Sequence, residues 1–147
     1  CNCGKRGCLE TYASASGIVR SIDLLDSPNK STSILNLIKK PTAIDIFNSA
    51  EKGDKFSQEI IDFTAEKLGN ALADFACFSN PEAYILFGGI AQSGEGFRTK
   101  VQHHMDEGLL PIYKGIEVRL SKLHGDNAAI LGASSIVWSK KDKIKVT

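Results

Sequence analysis

Between residues 55 and 78 the apolar positions Ile61, Ala65, Leu68, Leu72, Phe75 and Phe78 fall at steps of three and four. That spacing puts them on one face of a helix and predicts a long amphipathic helix there. Gly69 interrupts the face, and a helical glycine is less favourable than alanine by about 1 kcal/mol. It predicts a close contact with a neighbouring helix. Asn80-Pro81 stops the run, because the residue before proline is driven out of the helical region. The stretch 83–87, Ala-Tyr-Ile-Leu-Phe, has no polar alternation and predicts a strand buried on both faces. Gly88-Gly89 follows, and residues 94–107 return to helical spacing through Phe97, Val101 and Met105. Gly108, Pro111 and Gly115 mark a loop. Residues 116–120, Ile-Glu-Val-Arg-Leu, alternate strictly and predict a strand with one solvated face.

The flanks are less regular. Residues 9–23 read as a first helix whose early part carries Ala13, Ser14, Ala15, Ser16 and Gly17. Such small side chains admit a loop or ligand, or tight helix packing, and both can hold. Residues 26–31 read as a loop by their turn residues. Residues 35–40 form a short helical or extended piece ending at Pro41. Thr42 predicts an N-cap for a helix running through Ile46, Phe47 and Ala50 to a cap at Gly53. Asp126 caps a last helix with Ala129, Leu131, Gly132 and Ile136. Helices alternating with strands in this way make the chain α/β, and no 20–50-residue repeat is visible.

Composition narrows the class. The chain has 147 residues, of which 42% are hydrophobic and 24% charged, ordinary values for one globular domain. A net charge of +1 implies no general attraction to nucleic acid or membranes. No apolar run approaches the roughly 18 residues of a membrane span. The basic tail, residues 139–147, lacks a buried face and reads as a solvated, frayed terminus.

Candidate chemistry concentrates at the start. Cys1, Cys3 and Cys8 stand in C-x-C-G-x-x-G-C-x-E, which closes at Glu10. Thiolates this close in sequence can converge on one soft metal ion, with glycines allowing tight turns between them. Zinc wants four ligands in a tetrahedron, and this segment offers three. A disulfide scaffold or unreactive thiols is the other reading of the cysteines. Against it, Cys77 sits alone in an apolar helical stretch, Cys1 and Cys3 are too close to pair comfortably, and nothing looks like a signal peptide. Cysteine usage therefore fits a reducing compartment, the cytoplasm. His103 and His104 are adjacent on a helix and cannot face one site together. They and His124 are weaker candidates for a further zinc ligand. A glycine pair after a strand with a helix behind it can approach a phosphate or nucleotide, although it is usually only a tight turn.

The run of residues 1–10 resembles the signature of the ROK family, bacterial sugar kinases and sugar-responsive repressors on a shared fold. The resemblance implies the second lobe of an actin-like ATPase (ribonuclease H-like) fold, helix-rich with a short sheet, with residues 1–10 as a zinc knuckle. In the family a histidine some ten residues upstream of the first cysteine completes the zinc site. This chain starts at Cys1 and its only methionine is Met105, so it reads as a piece of a longer polypeptide. The resemblance further implies that zinc is structural, that Glu10 accepts hydrogen bonds from sugar hydroxyls, and that Gly88 and Gly89 pack against the adenosine of ATP. A third glycine, frequent in the family, is replaced here by Ile90. The family's Asp-x-Gly-x-Thr phosphate loop and its Asn-Asp pair, which supplies the base for Mg²⁺-dependent phosphoryl transfer, are not found. Asp126-Asn127 has the order reversed. No catalytic residue is therefore assigned within this chain. The expected whole is an ATP-dependent hexose kinase, glucokinase-like and homodimeric. The rival is a repressor with an added DNA-binding helix pair. The retained Gly88-Gly89 turn favours the kinase.

Overall fold

The structure is a computed structural model, described over residues 1–123 and 128–139. It contains five α-helices among these residues: α1 (Ala15–Leu24), α2 (Ala43–Glu51), α3 (Lys55–Ser79), α4 (Glu95–Gly108) and α5 (Ala128–Ser139). Strands β1 (Ala83–Leu86) and β2 (Glu117–Leu120) pair in parallel, Ala83 opposite Glu117 and Leu86 opposite Leu120. Parallel strands need a crossover, and α4 supplies it. Short 3-10 turns occupy Leu9–Thr11, Pro28–Thr32, Ile34–Leu37 and Ile90–Ser93. His124, Asp126, Asn127 and most of the basic tail lie outside the described residues.

The core forms where α3 and α4 cross. Ile60, Ile61, Ala65, Leu72, Ala73 and Ala76 of α3 meet Phe97, Val101 and Met105 of α4, and Ile18, Ile46 and Val118 join them. Gly69 allows this approach. A β-carbon there would lie 2.7 Å from the His104 β-carbon and 2.8 Å from the Val101 carbonyl oxygen. The predicted helix contact is thus present, but the predicted face drifts. Phe75 and Phe78 are 48% and 90% exposed, and Ala73 and Ala76 are buried in their place. The reason is packing. The surface that meets α4 is lined by small residues at 69, 73 and 76, which leaves the two rings on its flank.

Caps define the helix ends. Thr42 and Asp45 form a reciprocal capping box on α2. Lys52 is the α2 C-cap and Gly53 follows it. Asp54 caps α3 and also accepts from the Ile34 N–H at 2.6 Å and the Ser33 hydroxyl at 3.1 Å, tying the Ile34–Leu37 turn to the helix. Asn80 ends α3 in the left-handed region, as expected from Asn80-Pro81.

Two further expectations change. Residues 9–23 are not one helix: Leu9–Thr11 is a 3-10 turn, and α1 starts at Ala15 because the Ser14 hydroxyl accepts the Gly17 N–H at 3.0 Å. The β1 strand is covered on one face only. Tyr84 and Leu86 pack against the core, whereas Ile85 is 59% exposed. The β2 strand alternates as predicted, with Val118 buried between exposed Glu117 and Arg119. Its outer edge is closed by a side chain: the Gln102 amide donates to the Ile116 carbonyl and accepts from the Val118 N–H.

Candidate functional site

The first eight residues fold back on themselves, turning at Gly4 and Gly7, which have φ of +76° and +74°. These angles lie in the left-handed region that favours glycine. The turn brings three sulfurs together, with Cys1 Sγ 2.7 Å from Cys3 Sγ and 3.1 Å from Cys8 Sγ, and Cys3 Sγ 3.4 Å from Cys8 Sγ. All four cysteines are free thiols in this structure. The donor set suits a soft cation. Zn–S bonds of about 2.3 Å in a tetrahedron space the sulfurs at about 3.8 Å, so a bound zinc would spread the cluster slightly. The Cys3 thiol lies below its ordinary pKa, held there by the Lys5 backbone hydrogen bond and then by the Cys8 thiol. The Cys8 thiol is raised, first by its hydrogen bond to Cys3 and then by burial and the Cys3 charge. Cys3 thus deprotonates before Cys8, and the hydrogen bond to Cys3 and the Cys3 charge both oppose loss of the Cys8 proton. A cation among the sulfurs would remove that opposition.

Glu10 sits in the 3-10 turn Leu9–Thr11, anchored where Cys8 ends the knuckle. The Thr11 N–H and hydroxyl both reach the Cys8 carbonyl, at 2.9 and 2.6 Å. Glu10 is exposed and lines a depression of about 270 Å³ with Cys1, Asn2, Thr11, Ser16, Gly17 and Arg20. Among the described residues no ion pair holds Glu10 or Arg20. The depression therefore offers a free acceptor and a free donor to a polar ligand. Sequence reading did not single out Arg20. A signal existed: Ser16 and Arg20 are four apart on α1, on the face that meets the turn.

Gly88 and Gly89 follow β1 as expected, with Gly88 at φ +105°. Open space surrounds the position a β-carbon would take at either one. The following segment is the short turn Ile90–Ser93, and α4 begins only at Glu95. Ile90, which stands where a third glycine was anticipated, is buried in the core and anchors that turn. The glycine pair lines neither the Glu10 depression nor the thiol cluster. Contrary to expectation, His103 and His104 on α4 both approach the Glu107 carboxylate at 3.6 Å, and among the described residues no histidine joins the three sulfurs.

The description of the ROK family matches residues 1–140. The chain is 34% identical to a glucokinase of Halalkalibacterium halodurans, over 99% of this chain and 45% of that protein. It is 27% identical to a xylose repressor of Caldicellulosiruptor bescii, over 95% of this chain and 35% of that protein. Among solved structures, a ROK family glucokinase from Streptomyces griseus, in complex with glucose and AMPPNP, superposes with a TM-score of 0.77 at 26% identity. That alignment covers 92% of this chain and 46% of that one. The chain thus spans less than half the length of each relative. The chain belongs to the ROK family.

Proposed function

We propose that these residues form part of the second lobe of an ATP-dependent sugar kinase that phosphorylates a hexose hydroxyl. The observation that carries the reading is the depression that Glu10 lines together with Arg20 and with Cys1 of the thiol knuckle. A carboxylate accepts hydrogen bonds from sugar hydroxyls, and a charged partner makes each bond worth about 1.5–3 kcal/mol. Cys1, Cys3 and Cys8 would hold zinc, whose contribution is to lock the knuckle that presents Glu10. Gly88 and Gly89 offer an uncovered backbone against which adenosine can lie. Similarity to the glucokinases supports glucose or a related hexose as the sugar, with ATP and Mg²⁺ as co-substrate and metal. Mg²⁺ and the base for phosphoryl transfer are proposed to lie in the portion of the polypeptide matching the other half of those relatives. A homodimer in the cytoplasm completes the reading; among the described residues no helix is long and apolar enough to cross a membrane.

The similarity to a repressor supports a second reading, in which the same depression binds a sugar that alters affinity for DNA. Glucose-dependent ATP turnover by the intact protein separates the two, and the 147 residues alone should give only background turnover. The test of the binding site is Glu10→Gln in the intact protein, which keeps shape and removes charge. Glucose affinity should fall by about ten- to a hundred-fold, while ATP affinity and zinc content stay unchanged. Unchanged glucose affinity would reduce Glu10 to a surface carboxylate.

A further inference from the structure

Among the described residues, Gly17 and Gly69 lie so near main chain across an element boundary that an added β-carbon would come within 2.9 Å of it. At Gly69 an added β-carbon would press on α4 in the core. At Gly17 it would lie 2.8 Å from the Tyr12 carbonyl carbon, 2.9 Å from the Glu10 carbonyl oxygen and 2.9 Å from the Thr11 carbonyl carbon. All three are main-chain atoms of the turn that carries Glu10, so no flexible side chain can swing aside. The turn is also held from another direction, where the Tyr12 ring meets Phe63 of α3 edge to face at 6.2 Å. It is thus clamped between α1 and α3, and Gly17 itself lines the depression.

We infer that Gly17 is a positioning residue for Glu10: the missing side chain lets the Leu9–Thr11 turn seat directly on α1 and sets where the carboxylate enters the depression. A methyl group at 17 must lift residues 10–12 away from α1, because side-chain carbons do not approach main chain below about 3 Å. The link to sugar rests on the Glu10 reading above. The seating of the turn does not.

The experiment uses the intact protein and the variants Gly17→Ala, Gly69→Ala and Glu10→Gln, titrated with D-glucose and separately with ATP. Amide hydrogen exchange is followed at Thr11, Tyr12 and Ala13, whose N–H groups bond back to Cys8 and Leu9 at 2.8–3.0 Å. Gly17→Ala should speed exchange at these three amides and weaken glucose binding by about ten-fold or more, with ATP binding unchanged. Gly69→Ala should lower thermal stability yet leave glucose affinity intact in the folded protein. Native exchange and native glucose affinity in Gly17→Ala would overturn the inference. Equal loss of glucose affinity in Gly69→Ala would do so too, since general loosening would then explain both. If Glu10→Gln binds glucose normally, the sugar reading fails by itself, and exchange at residues 11–13 still decides whether Gly17 seats the turn. Should Gly17→Ala not fold, Gly17→Ala with Tyr12→Leu releases the Phe63 clamp and gives the turn room to move. That double variant should fold with fast exchange and weak glucose binding; native affinity in it would sink the proposal.

Discussion

The knuckle and the α3–α4 seam are held together by opposite means. In the knuckle no residue from 1 to 10 is buried, and the sulfurs converge through two left-handed glycines and a few backbone bonds. In the seam, Val101, Met105, Ala65 and Ala76 are completely buried, and a glycine allows the helices to meet. The first is specified by ligand atoms and local turns, the second by apolar volume. A metal, rather than a core, is what such a knuckle can use to become rigid. Each region should therefore fail under a perturbation that the other tolerates.

The largest expected effect lies on the packed side. Phe56 is 1% exposed, and Phe56→Ala should reduce the free energy of unfolding by about 3–5 kcal/mol in a denaturant titration. Alkylation rates of the knuckle thiols in the native state should hardly change. A loss below about 1 kcal/mol would mean that the helical core is not what carries stability.

Asp54 probes a polar joint inside the packed region. Its carboxylate takes the Ile34 and Ser57 N–H groups and the Ser33 hydroxyl, and Asp54→Ala should remove about 2–3 kcal/mol by stranding those donors. Burial raises its pKa, but these hydrogen bonds outweigh burial and hold it below the usual carboxylate range. The sign follows from linkage. The contribution is fully present above the unfolded value of about 3.9 and is lost as pH falls through the lower native value. Denaturant titrations below pH 4 should show wild type losing its advantage over Asp54→Ala; a constant difference would refute the assignment.

Thr42→Ala removes one half of the α2 capping box and should cost about 1 kcal/mol, read as a modest drop in thermal midpoint. The smallest effect sharpens the contrast most. Removal by a chelator of the zinc proposed for the knuckle should accelerate amide exchange in residues 3–12 while shifting the unfolding of α3 and α4 by less than about 0.5 kcal/mol. Collapse of the helical core on chelation would show that metal and packing form one cooperative unit.

Legibility in the sequence follows the same division. Helices α3 and α4 were readable because apolar residues recur at helical spacing over many turns, and Gly69 marked their contact in advance. The flank formed by Phe75 and Phe78 was not readable, since periodicity cannot tell a large apolar side chain in the seam from one beside it. Residues 9–23 misled because alanine and serine fit a helix interior and a cap equally well; only the Ser14–Gly17 hydrogen bond decides. At the site, the thiol convergence was legible from spacing alone. The place of Arg20 in the depression was not, because it depends on how the Leu9–Thr11 turn seats on α1.

The Gln102 side chain has a consequence for how the sheet can extend. The side chain bonds the Ile116 carbonyl and the Val118 N–H while Arg98 donates to the Val118 carbonyl, and together they occupy the groups at 116 and 118 that a neighbouring strand would use. The β2 border is therefore sealed from within the chain, like a hem. Any additional strand, from the same polypeptide or another, has to be laid down along β1, so this small parallel pair can grow in one direction only.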